Sequence, residues 1–597
     1  MQTQPNKYIH WAIWISIALC LSLGLSFWAI SYISFEWVKA YLDALAVDGN
    51  ADKFTFVVFA KTVERLKFVS MGFFAISALF LLFKKPMQQN LEHHLTEISF
   101  LNLYRDIKHH ISTVWIQTPR QHQILILVLF TIGIVIRLSF IFQPMRHDEA
   151  FTFTNYASKP LLVALSNYSF PNNHLFHTFL VHISYLCFGN QEWAIRLPAF
   201  CAGILFLPVI YLTIRQFYND QVALITLALV VTASPLVEYS TNARGYMLIC
   251  LFFFILLSMA NYLINQPNKT IWICFSVLGA LGLYTIPIML YPLAIVYVWF
   301  LASILKTPNF RLRFRQLFLS GIAISLLTGL FYTPIFLGSG PKALFGNRFV
   351  RSAPSWTSFI DGLLFSGTEL WQQWTCDYPL LLTLTLMVCL IIGCLRYSQT
   401  NTISLLMALP ICLFIITMQR VIPPERTWLF LLPLFFAWAA NGLIFIINTI
   451  QPQKIKNILL PITTLALLAL SFPSAIQNLS HDYQYGPGTL HDAQQITQML
   501  APNLTATDRV LTIATAAPLE YYFNRQNVSI QHLRKPITDT ERIILIVMES
   551  KYTLEEVLKI SLIPSEQFSA PKLWHRYDSA AIYTLIRHPL PSPKSNI

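Results

Sequence analysis

The chain has 597 residues, 55% of them hydrophobic and 12% charged, with a mean hydropathy of +0.54. A soluble domain carries roughly 25% charged residues, so a single water-soluble core is excluded and a bilayer must solvate most of the chain. The formal net charge of +13 is spread over short connectors such as 306–315 rather than gathered in one basic domain, which reads as topology signal plus an anionic ligand and argues against a nucleic-acid partner.

Apolar stretches of about 16 to 23 residues recur along the chain, each long enough to cross or nearly cross a hydrocarbon core. The first, 11–33, lacks a small-residue cleavage site and reads as a retained helix. Thirteen spans are expected, near 10–32, 66–83, 122–143, 195–214, 221–237, 247–264, 271–286, 288–305, 317–337, 380–396, 403–418, 429–448 and 458–474. With the N-terminus inside, the basic connectors all fall on the cytoplasmic side. They are 84–121 with Lys84, Lys85, Arg105, Lys108 and Arg120, 306–316 with Lys306, Arg311, Arg313 and Arg315, and 451–457 with Lys454 and Lys456.

The apolar segment 174–189, with His174, His177 and His182, is short for a span and is expected to be interfacial or re-entrant. Counting it as a span would throw Arg311, Arg313 and Arg315 outside. Four polar segments then share the outer face: 144–194, 238–246, 338–379 and 419–428. Three units follow: 1–121, two extra spans and a cytoplasmic linker; 122–474, the main membrane core; and 475–597, a small soluble outer domain. In the last, β-rich runs at 509–514, 542–548 and 580–586 alternate with helical stretches at 490–500 and 553–560, the pattern of an α/β layer. The fold class is an α-helical polytopic membrane protein with a C-terminal α/β domain. The nine cysteines show no disulfide framework or metal spacing.

Polar motifs concentrate in the outer segments. Arg146-His147-Asp148-Glu149 follows the third span, Pro171-Asn172-Asn173-His174 opens the interfacial helix, and Gly189-Asn190-Gln191-Glu192-Trp193-Ala194-Ile195-Arg196-Leu197-Pro198 leads into the fourth span. Ser234-Pro235 precedes Glu238-Tyr239-Ser240-Thr241-Asn242-Ala243-Arg244-Gly245-Tyr246, and Gln419-Arg420 to Arg426-Thr427-Trp428 closes the series. Taken singly, each also reads as a helix-end anchor at the headgroup level.

In this order, and with Gly282-Leu283-Tyr284-Thr285 between them, the motifs resemble the GT-C glycosyltransferases of the protein O-mannosyltransferase and aminoarabinose transferase type. The resemblance spans roughly 122–450 and leaves out the first two spans. It implies a polyprenyl-phosphate-linked sugar donor, an acceptor glycan, lipid or protein on the outer side, inversion at the anomeric carbon, and a bacterial inner membrane with the C-terminal domain in the periplasm. It also implies a catalytic aspartate in the first outer loop, which falls on Asp148. One departure stands out: the aminoarabinose transferases carry Lys-Pro where this chain has Asn173-His174, so their preference for donor charge does not carry over.

Sugar transfer from a lipid phosphate needs a base for the acceptor proton, cations for the released phosphate, and apolar helices for the lipid tail. Asp148 is the candidate base, with Glu149 as an orienting group or, together with Asp148, a metal ligand, since this fold admits a divalent metal. His174, Arg244 and Arg426, and after them Arg146, Lys342 and Arg348, are candidates for the phosphate. Tyr239 and Tyr246 are candidates for sugar or phosphate, and Arg196 either faces the substrate or sets the start of its helix. Two competing classes remain. A transporter or flippase would call for intramembrane charges and inverted repeats; few such charges and no repeat are seen. A scaffold would leave the clustering of Asp148, Arg244 and Arg426 unexplained.

Overall fold

The computed structural model describes residues 5–45, 54–85, 100–305, 307–346, 351–396, 409–449, 453–486 and 488–588. Among these, nine helices are long and apolar enough to cross a membrane, and eleven if two bent pairs each make one span. In hydrocarbon every backbone polar group must be satisfied within the chain, which is why these apolar stretches are helical. The two other expected spans coincide with the shorter apolar helices Lys269–Thr285 and Pro410–Gln419; residues 403–408 of the latter lie outside the described residues. The chain is a multi-pass membrane protein.

The N-terminal pair, Pro5–Ile30 and Phe56–Leu82, packs through small residues. Ser70 Oγ donates to the Gly24 carbonyl (2.7 Å), and a Cβ on Gly24 would lie 2.7 Å from the Phe74 ring. Close backbone approach of this kind replaces the hydrophobic effect as the adhesive between helices in lipid. The same device recurs deeper in the core, where a Cβ on Gly442 would stand 1.8 Å from the Cys389 carbonyl oxygen, so glycine is what lets Leu432–Thr449 pack onto Leu380–Arg396.

Two kinks shape the site's end of the bundle. Pro235 has no N–H and its ring clashes with the preceding turn, so Asp220–Thr232 breaks into Ser234–Ser240 at 65°. The backbone N–H of Ser234 donates instead to buried Asp377 (2.6 Å), which also accepts from Asn478 (3.0 Å). The second pair, Trp356–Thr375 and Leu380–Leu395, bends by 108° around this aspartate. The expected span 317–337 lies on the helix Phe310–Phe331, with Thr333–Gly338 as a separate turn.

Contacts at the two ends agree with the alternation of the spans. At one end His122 Nδ1 meets Asp220 Oδ2 (2.6 Å), and Arg215 donates to the Val114 carbonyl (3.2 Å). At the other, Ser339 Oγ donates to the Ser166 carbonyl (2.7 Å), the Ala353 N–H to the Arg420 carbonyl (2.8 Å), and Arg146 pairs with Glu238. All four segments expected on the outer face therefore meet at one end. The helix Leu175–Phe188 starts and finishes at that end, since Asn172 touches Asp148 and Arg196 touches Glu149. It does not cross the bundle.

The last long helix runs from Gln453 to Tyr485, so the boundary expected at 475 falls inside it and the sheet-bearing unit begins near 486. That unit holds a four-stranded sheet in the order β1-β2-β4-β3, with β1 Asp508–Thr512, β2 Arg542–Val547, β3 Lys572–Arg576 and β4 Ala581–Ile586. β1 and β2 are parallel and the other pairs antiparallel. Strand β3 and the helix Ala516–Arg525 were not expected. β2 is apolar on both faces because both are covered. Ile543, Leu545 and Val547 pack against Val557, Phe568 and Leu585. Ile544 and Ile546 join a core that includes Tyr521, Tyr522 and Phe523 and extends to Met145, Ala150, Phe153 and Ala243 of the membrane unit.

Candidate active site

Pro144 cannot continue the preceding helix, and the chain restarts as the short helix His147–Thr152. Glu149, in its first turn, accepts the Arg146 backbone N–H (2.9 Å), a capping arrangement that fixes where the helix begins. Neighbouring residues on a helix point about 100° apart, so Asp148 and Glu149 face different surroundings.

Glu149 faces inward. Its carboxylate pairs with Arg196 Nε (3.0 Å) and Nη2 and accepts the Ala243 N–H (2.9 Å), while Arg196 also donates to the carbonyls of Ile141 and Pro144 (both 2.9 Å) and of Gln143. Both side chains are fully buried. Arg196 is therefore taken out of the substrate-facing set and Glu149 out of the ligand set: together they lock three segments of the outer face. Arg146, another candidate for the phosphate, pairs with Glu238 and stacks over the Tyr483 ring at 4.2 Å. It retains unpartnered Nε and Nη2 atoms among the described residues.

Asp148 faces a different cluster of side chains. Its side chain is 41% exposed and its Oδ2 lies 3.6 Å from Arg244 Nη2; Oδ1 accepts from Asn172 Nδ2 (3.2 Å), whose Oδ1 in turn faces Arg244 (3.4 Å). Arg426 Nε donates to the Tyr246 hydroxyl (2.9 Å). The Tyr246 ring meets His174 and Tyr239 edge-on, with centroids 5.2 and 5.0 Å apart. Gly245 is required here, because a Cβ would come within 2.6 Å of Thr285. Its N–H donates to His174 Nδ1 (2.9 Å). Six candidates thus come together: Asp148, His174, Tyr239, Arg244, Tyr246 and Arg426. Lys342 is exposed on the short helix Lys342–Phe345 and joins none of these contacts, and Arg348 lies outside the described residues.

Residues 172–331 match the family model described as dolichyl-phosphate-mannose-protein mannosyltransferase. The fold is similar to that of ArnT from Cupriavidus metallidurans bound to undecaprenyl phosphate, with a TM-score of 0.50 and 13% identity over 77% of this chain and 97% of that one. The chain has the GT-C fold. The archaeal oligosaccharyltransferase AglB from Archaeoglobus fulgidus, in complex with an inhibitory peptide and a dolichol-phosphate, also matches, with a TM-score of 0.47 and 11% identity over 71% of this chain and 69% of that one. No curated protein matches by sequence. The resemblance read from the motifs is thereby borne out.

On this GT-C scaffold the electrostatics divide the chamber. Burial disfavours the charged form of Asp148, but Arg244 and then Arg426 outweigh it and hold the carboxyl below the usual aspartate range. Burial, reinforced by Arg244, pushes His174 well below the usual imidazole range. His174 is therefore a neutral group whose Nδ1 is committed as an acceptor. A cation held jointly by Asp148 and Glu149 does not fit this donor set, because Glu149 spends its oxygens on Arg196 and two backbone N–H groups. Among the described residues no group of three or more His, Cys, Asp or Glu is placed to hold a metal ion.

Asn172 and Glu238 stood in the quoted motifs without a role. An amide two residues before a histidine and an acid at a helix end carry no signal until the fold sets them against Asp148 and Arg146.

Proposed function

We propose that this protein is a glycosyltransferase that moves a sugar from a polyprenyl-phosphate donor to an acceptor on the outer face of the membrane, with Asp148 as general base. The observation that carries the reading is the half-exposed Asp148 carboxylate set beside Arg244, with Arg426 anchored in the same cluster through Tyr246. Asp148 takes the proton of the acceptor hydroxyl while its oxygen attacks the anomeric carbon. The bond from that carbon to the phosphate oxygen breaks, and the lipid phosphate leaves with the electron pair, neutralised by Arg244 and Arg426. Attack from the face opposite the leaving group inverts the anomeric centre.

An apolar groove supports a lipid-linked donor. It is lined by Leu363, Leu370, Leu413, Ile416, Ile422 and Trp428, and Trp428 lies two residues from Arg426. A phosphate at Arg426 would leave its polyprenyl tail facing hydrocarbon-like walls. In this reading the chamber opens to the periplasm of a bacterial inner membrane, the sheet domain lies on the same side, and the acceptor is a glycan, lipid or protein.

The test is sugar transfer from a panel of radiolabelled polyprenyl-phosphate sugars by the purified protein in lipid. Asp148→Asn is expected to lower turnover roughly 10²- to 10⁴-fold, the usual contribution of a general base, with unchanged thermal stability. Full activity in that variant would remove Asp148 as the base. Donor flipping without transfer by the wild type would point to a transporter instead.

A further inference from the structure

The helix Leu175–Phe188 and its cap carry three histidines, and two have partners: His174 accepts the Gly245 N–H (2.9 Å), and His182 Nδ1 meets the Ala157 carbonyl (2.8 Å). His177 has none. It is fully buried, and neither ring nitrogen has a hydrogen-bond partner among the described residues. It stands one turn beyond His174, and Arg244 is near enough to disfavour its protonation. Arg244 also keeps one unpartnered nitrogen, Nη1. Burying an unsatisfied imidazole costs stability that Leu or Phe at the same helix position would not, so packing alone does not account for a histidine there.

The surroundings define what this imidazole can bind. Burial first, and Arg244 second, hold its pKa down to about 3, so at neutral pH it offers one N–H donor and one lone pair. That pair of functions complements a hydroxyl. A phosphate oxygen, which only accepts, is better served by the neighbouring arginines, and an ammonium would be repelled by Arg244. Two carboxylates beside the site are also committed, Glu149 to Arg196 and Glu238 to Arg146. Among the described residues the carboxylate set against Arg244 is Asp148, and its role as base would be blocked by pairing with a positively charged sugar.

We infer that His177 is a substrate-binding residue that hydrogen-bonds a hydroxyl of the transferred sugar, and that this sugar is uncharged. The inference rests on the reading of the chamber as a glycosyl-transfer site.

The test uses the full chain in lipid nanodiscs, with polyprenyl-phosphate donors carrying either a neutral hexose or an amino sugar, and with bare polyprenyl phosphate as inhibitor. His177→Phe and His177→Leu are expected to lower kcat/KM for the neutral donor about 10- to 100-fold, the range for losing one buried polar contact to substrate. Inhibition by bare polyprenyl phosphate should stay within about twofold of wild type, because the phosphate is held elsewhere. His177→Gln, which keeps a donor and an acceptor, should recover most of the loss, and the wild type should favour the neutral donor. Three results overturn the inference: apolar variants as active as wild type, an equal loss of donor and bare lipid-phosphate binding, or a wild-type preference for the amino sugar. If the wild type turns over no donor, the transferase reading falls and this inference falls with it.

Discussion

Asp148 and Glu149 are adjacent in sequence, yet only one of them is free to act. The difference is orientation: one carboxylate is fully buried on Arg196, while the other is half-exposed beside Arg244. The Asp148 pKa sets a testable pH dependence. Because it is lowered, the carboxylate stays ionised as pH falls, and with Asp148 as the proposed base kcat/KM is expected to remain flat until below about pH 4, the ordinary aspartate range. Removing a cation reverses the shift, so the residual activity of Arg244→Gln should lose its acid limb at a higher pH than wild type. A pH profile of kcat/KM for both proteins checks this, and an unmoved limb would show that Arg244 does not set the base. His177 brings a second dependence of opposite chemical origin. Its folded pKa of about 3 lies below the roughly 6.5 of an unfolded chain, so its contribution to stability is complete above about pH 6.5 and is lost as pH falls toward 3. The loss approaches roughly 1.4 kcal/mol per pH unit in that window. The melting temperature of wild type should therefore fall away from that of His177→Phe as the pH is lowered.

The elements that bear the site are held by contacts between segments distant in sequence. The helix His147–Thr152 carries Glu149, Glu192–Phe217 carries Arg196, and the turn after Ser234–Ser240 supplies the Ala243 N–H. Removing one partner of a buried ion pair leaves the other charge uncompensated, which costs about 3–5 kcal/mol. Arg196→Met is therefore expected to lower melting temperature and yield sharply, and Glu149→Gln by less, because it keeps hydrogen-bonding atoms. Arg244→Lys should instead preserve stability and lose turnover, since an ammonium lacks the planar fork that suits phosphate. Thermal melts in detergent or nanodiscs, measured beside turnover, separate the two classes. The sequence placed Arg244 among the phosphate candidates and left Arg196 between facing the substrate and setting the start of its helix, since each follows a polar run at a helix end. Its period cannot show that Arg196 turns inward onto an acid 47 residues away, whereas Arg244 turns toward Asp148.

At the scale of the whole molecule, the sheet domain touches the loop that carries Asp148 rather than hanging from it. The His147 N–H donates to the Gly488 carbonyl (2.9 Å), Tyr522 accepts the Met145 N–H (3.2 Å), and Arg525 pairs with Glu192. Gly488 has a φ of 72°, and a Cβ there would lie 2.8 Å from His147 Cβ. Gly488→Val adds both backbone strain, about 1–3 kcal/mol for such a conformation, and a clash against His147, the residue before Asp148. It is expected to lower kcat about tenfold or more while the sheet domain stays folded. Turnover, together with protease resistance of the domain, checks this; unchanged turnover would show that the contact does not govern the loop.

Much of this architecture follows from the sequence alone, because the bilayer imposes a simple rule. Long apolar runs become helices, spans must alternate in direction, and the polar segments 144–194, 238–246, 338–379 and 419–428 must share an end. The same physics kept 174–189 out of the count of spans, and its two ends do remain on one side. Asp148, Arg244, Tyr246 and Arg426 were legible as candidates because charged and aromatic groups in short outer segments have few structural uses. Pairing is what tertiary structure alone decided. Which arginine meets which acid, and which histidine of three lacks a partner, depend on side-chain directions fixed by the break at Pro235, the restart after Pro144 and the close approach at Gly245. The start of the sheet domain was misplaced for a related reason. Residues 475–485 are polar enough to read as soluble chain, yet they continue the last helix, because Leu479 and Tyr483 bury themselves against the bundle and extend it beyond the apolar run.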